Sequence, residues 1–152
     1  MPIHSRQIND ISEINMSKKT EHFHLVPALE EMYCFSIGVR AGDYVYIGGL
    51  TASDDQGNEL YPDDPALQMK NVYEQMGKVL NHFGGTASDI VSEVIYYSVS
   101  MDEFNNNLFP HRQAFYTGCE APSVAGMQVL GFTSEAIKVE VTAVAYLLVE
   151  PV

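Results

Sequence analysis

The chain has 152 residues, 46% of them hydrophobic and 18% charged, and a formal net charge of −12. This length is typical of one domain, which buries about 68–70% of its unfolded surface without disulfides or metals. No apolar run reaches the roughly 18 residues of a membrane helix, and no basic cluster exists beyond Lys18-Lys19, so the sequence predicts neither a membrane nor a nucleic-acid partner.

The start of the chain is polar and weakly patterned. The sequence predicts an N-terminal extension over residues 1–22 and a single domain over residues 23–152. No apolar stretch typical of a secretory signal is present, and the two cysteines, Cys34 and Cys119, are too few for a disulfide framework, so we expect a cytoplasmic location. His22 and His24 have no further donors at metal-ligand spacing, so neither a metal nor a cofactor is expected.

Two strands are predicted next. Residues 33–40, YCFSIGVR, and residues 43–51, DYVYIGGLT, are rich in β-branched and aromatic residues, and the Gly-Asp pair between them is typical of a hairpin. Gly48-Gly49 indicates either close approach of another group to the backbone or simply the end of the strand.

The first predicted helix has clear signals at both ends. Asp63-Asp64-Pro65 supplies an acidic N-cap and a proline for the first turn. Apolar residues then recur with a 3.6-residue period until Gly84-Gly85, which predicts the C-cap.

A strand over residues 90–99 leads into the second predicted helix. Ser100 and Glu103 have the spacing of a capping box at the start of that helix. Pro110 lies inside it and predicts a kink or a later start, because proline cannot donate the helical hydrogen bond. Arg112, two residues further on, is expected in solvent, with pocket lining as the alternative.

Residues 123–132 and 136–148 are predicted as two strands joined by a tight turn at residues 133–135. In the second strand, Val139 and Val141 alternate with Glu140 and its same-face neighbours Lys138 and Thr142. Two interpretations of Glu140 are open. It lies on a solvated sheet face, as most charged residues do, or it is a carboxylate at a ligand pocket on the sheet.

The predicted order is β-β-α-β-α-β-β. Strands outnumber helices and both helices are amphipathic, which favours an α+β two-layer sandwich: a mixed sheet with two helices on one face. The opposite face is rich in Gly, Val and Tyr, so we expect it to pack against another copy of the chain in a homo-oligomer.

Several pieces of the chain, in this order and spacing, resemble the YjgF/Rid (reactive intermediate deaminase) family. They are VRAGDYVYIGG (39–49), HFGGTASDIV and VIYYSV (82–99), Glu103-Phe104, Ala121–Ser123 and KVEVTAVA (138–145). The resemblance implies a homotrimer of chorismate-mutase-like subunits whose sheets face inward, with small-molecule clefts between subunits. In its active branch the family hydrolyses enamines and imines to 2-keto acids and ammonia.

The resemblance also implies a set of site positions, most of which carry a different residue here. The family's carboxylate-binding Arg falls on Val124, the Cys that follows on Gly126, the Tyr on Phe35 and the Ser on Gly48. An Asn of the second helix falls on Asn107 or Leu108. Only the Glu of the last strand is retained, as Glu140, the candidate catalytic residue; Arg112 is a further ligand-binding candidate.

Two functions follow from this pattern. The first is a small-molecule-binding homotrimer that is non-catalytic or lacks general 2-iminoacid deaminase activity. This is favoured by the missing Arg, since each hydrogen bond to a charged group contributes about 1.5–3 kcal/mol. The alternative is a specialised enamine or imine deaminase for a bulkier or less charged substrate, with Glu140 as general acid and base.

Overall fold

The structure, a computed structural model, describes residues 20–148. Its elements in chain order are β1 (Thr20–Phe23), α1 (Pro27–Met32), β2 (Gly38–Ala41), β3 (Tyr44–Leu50), α2 (Pro65–His82), a 3-10 turn (Ala87–Asp89), β4 (Ile90–Tyr97), α3 (Met101–Glu103), a π-helical segment (Phe104–Leu108), α4 (Phe109–Phe115), β5 (Ser123–Gln128) and β6 (Val139–Tyr146). The predicted α+β class is confirmed: the strands form one mixed sheet, with helices packed on one face.

The sheet order is β1-β2-β3-β6-β4-β5, with β4 and β5 parallel and the other pairs antiparallel. The prediction that a tight turn joins β5 and β6 is therefore wrong, because β4 lies between the two strands. The reason is burial. β6 alternates buried and half-buried residues up to its last residue and pairs with a strand on each side, whereas β5 is exposed throughout and forms an edge.

The core lies between this sheet and α2. Val72, Met76 and Val79 of α2 are fully buried, as are Val139 and Val141 of β6. Burial of side chains of this size stabilises the fold by about 1.5–3 kcal/mol each. This packing fixes which face of β6 points inward, and it leaves Glu140 on the opposite face.

The predicted ends of α2 are confirmed. Asp64 is the N-cap, and its carboxylate accepts the Leu67 N–H at 3.0 Å, with Pro65 in the first turn. After the helix, Gly84 has φ +79°, the left-handed conformation that glycine adopts without strain.

The predicted strand over residues 33–40 is wrong in its first half. Helix α1 comes before it, Cys34 takes a left-handed φ of 57°, and β2 begins only at Gly38. The buried carboxylate of Glu30 explains this, because it accepts backbone N–H groups from Leu25, Val26 and Ile37. Those contacts join the backbone before α1 to the backbone before β2, and they cannot be read from β-propensity.

The irregularity predicted at Pro110 is present as a change of helix type. Residues Phe104–Leu108 are π-helical, and α4 starts at Phe109, so the proline falls in the first turn of α4, where no helical N–H is needed. The strands predicted over 90–99, 123–132 and 136–148 are each shorter, and end or begin at the residues given above.

Candidate functional site

The sheet face that the helices leave uncovered, here called the open face, carries Glu140. In β6, Glu140, Thr142 and Val144 point to this face, while the residues between them are buried. Glu140 pairs with Tyr96 of β4 and Thr142 pairs with Val94, so these side chains lie side by side. The arrangement follows from the period-two alternation seen in the sequence.

A β-bulge in β3 lies beside Glu140. Ile47 pairs with Ala143 and Leu50 with Val141, so Gly48 and Gly49 together oppose the single residue between those partners. Both Ile47 and Leu50 are buried, although strict alternation would point them to opposite faces. The extra residue therefore leaves the two glycines outside the core.

The Glu140 side chain lies over Gly49. An ideal Cβ on Gly49 would overlap Glu140 Oε1 and would lie 2.7 Å from Cδ and 3.2 Å from Cγ. A Cβ on Gly48 would meet only ordinary contacts, the nearest being the Ile37 carbonyl oxygen at 3.6 Å. Only Gly49 is thus in steric contact with the carboxylate.

The Glu140 carboxylate is half-buried, and within residues 20–148 it has no hydrogen-bond or ion-pair partner. Desolvation raises its pKa above the ordinary value of 4.5. A half-buried carboxyl group keeps its proton to a higher pH than a solvated one. Because no other group holds it, it can bind a ligand or transfer a proton to that ligand.

Gly48 and Phe35 lie near Gly49, the residue that the Glu140 side chain covers. The Gly48 N–H donates to the Ile37 carbonyl at 2.8 Å, which joins the bulge to the segment after α1. Phe35 and Gly49 line the same small cavity of about 60 Å³ together with Glu30. The structure therefore places Gly48 next to Gly49, which the Glu140 side chain covers, and Phe35 beside a cavity that Gly49 also lines.

Val124 and Gly126 lie elsewhere. Both are on the exposed edge strand β5, where they pair with Glu93 and Ile95 of β4, residues that point to the helix face. Glu140 is on the other face, so within one chain the sheet separates it from these two positions. The described residues of one chain therefore do not form a single site that contains both sets.

Arg112 is also distant from the open face. Contrary to the expectation of solvent exposure, it is buried between the helices and the sheet, where its Nε donates to Glu93 Oε2 at 2.8 Å. Glu93 Oε1 accepts the Tyr73 hydroxyl at 2.7 Å. Asn107 is exposed on the π-helical segment, beside a groove that it shares with Asp63 and Pro65. The structure thus separates both positions from Glu140.

One cation shares the open face with Glu140. Among the Lys and Arg between residues 20 and 148, Lys70 and Lys78 lie on α2, Arg112 is buried, and Arg40 donates to the Phe83 and Leu147 carbonyls on the helix side. This leaves Lys138, which lies two positions before Glu140 and so, by alternation, on the same side of the strand. Its ammonium group donates to the Glu135 carbonyl at 2.6 Å.

Comparison with known families agrees with this geometry. Residues 27–147, most of the chain, match the family described as endoribonuclease L-PSP. The chain belongs to this family, which is the YjgF/Rid family. The membership confirms the resemblance that the sequence pieces indicated.

Solved structures show the same fold. A YjgF family member from Mycobacterium tuberculosis is 21% identical to this chain. The match covers 84% of this chain and 99% of that chain, with a TM-score of 0.72. A Rid protein, YyfA, from Yersinia pestis is 18% identical over 74% of this chain and 87% of that chain, with a TM-score of 0.68. A putative endoribonuclease from Thermotoga maritima is 18% identical over 74% and 85% of the two chains, with a TM-score of 0.66.

Two further properties of this YjgF/Rid chain concern the part that the structure describes. No helix there is long and apolar enough to cross a membrane. Nor do three or more His, Cys, Asp or Glu side chains come together there in a way that could hold a metal ion.

Proposed function

We propose that this YjgF/Rid protein is a small-molecule-binding homotrimer without general 2-iminoacid deaminase activity, with its ligand clefts between subunits. The observation that carries the proposal is the Glu140 carboxylate: half-buried, unpartnered within the described residues, and on the open face. The position of the family's carboxylate-binding Arg is occupied by Val124, which offers no hydrogen bond to a substrate carboxylate.

Exposed apolar side chains support the trimer. Tyr46 on the open face, Val124 and Met127 on β5, and Leu130 beyond it are all solvent-exposed in the single chain. Exposed apolar side chains such as these favour packing against another subunit. Association through the sheet would also bring the β5 positions of one subunit towards Glu140 of another. Within one chain, the sheet separates these positions from Glu140.

A specialised deaminase is the second candidate, and the raised pKa of Glu140 favours it. In imine hydrolysis water adds to the C=N carbon, the C–N bond breaks, and a ketone and ammonia are released. A neutral Glu140 would donate its proton to the substrate, and the resulting carboxylate would take a proton from the attacking water. The substrate would be bulkier or less charged than a simple 2-imino acid, since Phe35, Gly48 and Val124 replace polar groups of the family.

The nuclease activity in the family's name is not part of this proposal. The net charge of −12 disfavours binding to a polyanion. Within residues 20–148, Lys138 is the only Lys or Arg on the face of the sheet that carries Glu140.

The deciding experiment measures ammonia release from freshly generated enamines and imines, from 2-aminoacrylate to bulky, neutral and aromatic-derived examples. We expect no turnover of 2-aminoacrylate above the uncatalysed rate. Turnover of 2-aminoacrylate at a rate typical of enzymes would contradict the proposal.

Glu140→Gln is the matched variant in this assay, because it keeps the shape of the side chain and removes its titration. If a bulky substrate is turned over, the variant should lose at least about 100-fold in kcat, the range of general acid–base catalysis. Turnover that is unchanged in the variant would exclude Glu140 as the proton-transfer group. Binding of the same compounds, followed by calorimetry, then separates a binding protein from an enzyme.

A further inference from the structure

We infer that Gly49 is a positioning residue: the space left by its missing side chain is the seat of the Glu140 carboxylate. The inference rests on the proposed role of Glu140 and adds a second residue to it. Gly49 is not among the site positions that were carried over from the resemblance.

Among the glycines between residues 20 and 148, Gly49 is the one whose added Cβ would meet the Glu140 carboxylate. A Cβ at Gly49 would overlap Glu140 Oε1 and approach Cδ to 2.7 Å, whereas real Cβ atoms essentially never come within 3.0 Å of another heavy atom. The clash is with the free end of a flexible side chain and not with backbone. An added methyl group would therefore displace the carboxylate while the fold remains intact.

The bulge explains why this glycine can face the carboxylate. Strict alternation after the buried Ile47 would turn residue 49 towards the core. The extra residue in β3 puts Leu50 in the core instead, and leaves Gly49 exposed beside β6. The bulge and the missing side chain together form a seat for the carboxylate against the backbone.

Packing against Gly49 also accounts for the position and the raised pKa of the Glu140 carboxyl group. Within residues 20–148 no hydrogen bond or ion pair holds Glu140 in place, so its position depends on packing. Contact with Gly49 removes water from one side of the group, and desolvation is what raises its pKa. The charged or titratable residues on the same face are Tyr96, directly across in β4, the tyrosines Tyr44, Tyr46 and Tyr146 further along β3 and β6, and Lys138, whose ammonium group is bound to the Glu135 carbonyl.

The test is Gly49→Ala, with the titration of Glu140 as the primary measurement. NMR of protein labelled with ¹³C at the glutamate carboxyl, with the Glu140 signal assigned by its loss in Glu140→Gln, gives the pKa in each variant. We expect the pKa of Glu140 to fall towards 4.5 in Gly49→Ala, because the displaced carboxylate turns to solvent. An unchanged titration would overturn the inference.

Gly77→Ala is the matched control, since it makes the same change at a glycine where a Cβ meets no atom within 4 Å. It lies in α2, away from the open face, and should leave the Glu140 titration unchanged. A shift of similar size in this control would also contradict a specific role for Gly49.

If Gly49→Ala folds poorly, the same substitution made in the Glu140→Ala variant still tests the inference. In Glu140→Ala the carboxylate is absent, so adding the methyl group at position 49 should have no further effect on the thermal midpoint. If Gly49→Ala lowers that midpoint equally with and without Glu140, the methyl group clashes with something else, and the inference fails.

Turnover separates this inference from the proposed function. Where a substrate is found, Gly49→Ala should lower kcat/KM by about 100-fold, as expected for a misplacement of about 1 Å, and should add little to Glu140→Gln. Where no substrate is turned over, the titration still decides the role of Gly49. The two proposals can therefore fail separately.

Discussion

At the scale of single residues, the structure contains a buried ion pair that the sequence did not indicate. Glu93 and Arg112 are both buried, and Tyr73 completes the hydrogen bonds of the carboxylate. Desolvation alone would lower the pKa of Arg112, but its hydrogen bond to Glu93 and the charge of that residue raise it overall. Burial, with the Glu93 charge adding, raises the pKa of Tyr73, which stays a neutral donor. Arg112 is thus part of the packing between helix and sheet.

Removing one partner of this pair should be costly. Arg112→Met leaves the Glu93 carboxylate buried without its cation, and we expect the free energy of unfolding to fall by about 3–5 kcal/mol. The measurement is urea denaturation followed by circular dichroism.

The control is the double variant Glu93→Met/Arg112→Met, in which both charges are replaced by apolar side chains. It should be more stable than Arg112→Met, because no unpaired charge stays buried. Equal losses in the single and double variants would show that lost packing, and not the unpaired charge, explains the effect.

At the scale of elements, local sequence signals determine the ends of helix α2, whereas tertiary packing determines the bulge in β3. Helix α2 begins and ends where its caps require, at Asp64 and before Gly84. The bulge in β3 arises differently, because Ile47 and Leu50 can both reach the core only if an extra residue lies between them. Two successive glycines between two buried aliphatic residues are a signal for such a bulge that the sequence does contain.

The N-cap of α2 can be tested directly. Asp64→Ala removes the acceptor of the Leu67 N–H, and we expect it to lower the free energy of unfolding by about 0.5–2 kcal/mol. Asp63→Ala, one residue earlier, removes an equal charge without removing the cap. A loss from Asp63→Ala as large as that from Asp64→Ala would point to charge and not to capping.

At the scale of the whole molecule, the helices cover one face of the sheet and leave the other open. The open face and the β5 edge carry exposed Tyr, Val and Met side chains, in a chain with a net charge of −12. This distribution favours association through the sheet, and the proposed ligand cleft would then lie where subunits meet. The trimer and its clefts remain predictions.

Tyr46→Glu tests that surface. A carboxylate at the centre of the open face would have to be buried without a partner on assembly, so we expect a shift from trimer to monomer. Light scattering coupled to gel filtration measures the mass. Lys70→Gln, on the exposed side of α2, changes the net charge equally and should leave the assembly intact. A trimer that persists in Tyr46→Glu would place the interface elsewhere.

The sequence by itself determined the α+β class, both ends of α2 and the face of β6 on which Glu140 lies. These depend on local interactions, namely caps, proline geometry and the alternation of buried side chains, which are encoded in neighbouring residues. Only the tertiary structure decided that β4 separates β5 from β6, that Arg112 is buried against Glu93, and that Gly49 adjoins the Glu140 carboxylate. Each of these joins residues far apart in the chain, and the competition for burial among all strands and helices selects them.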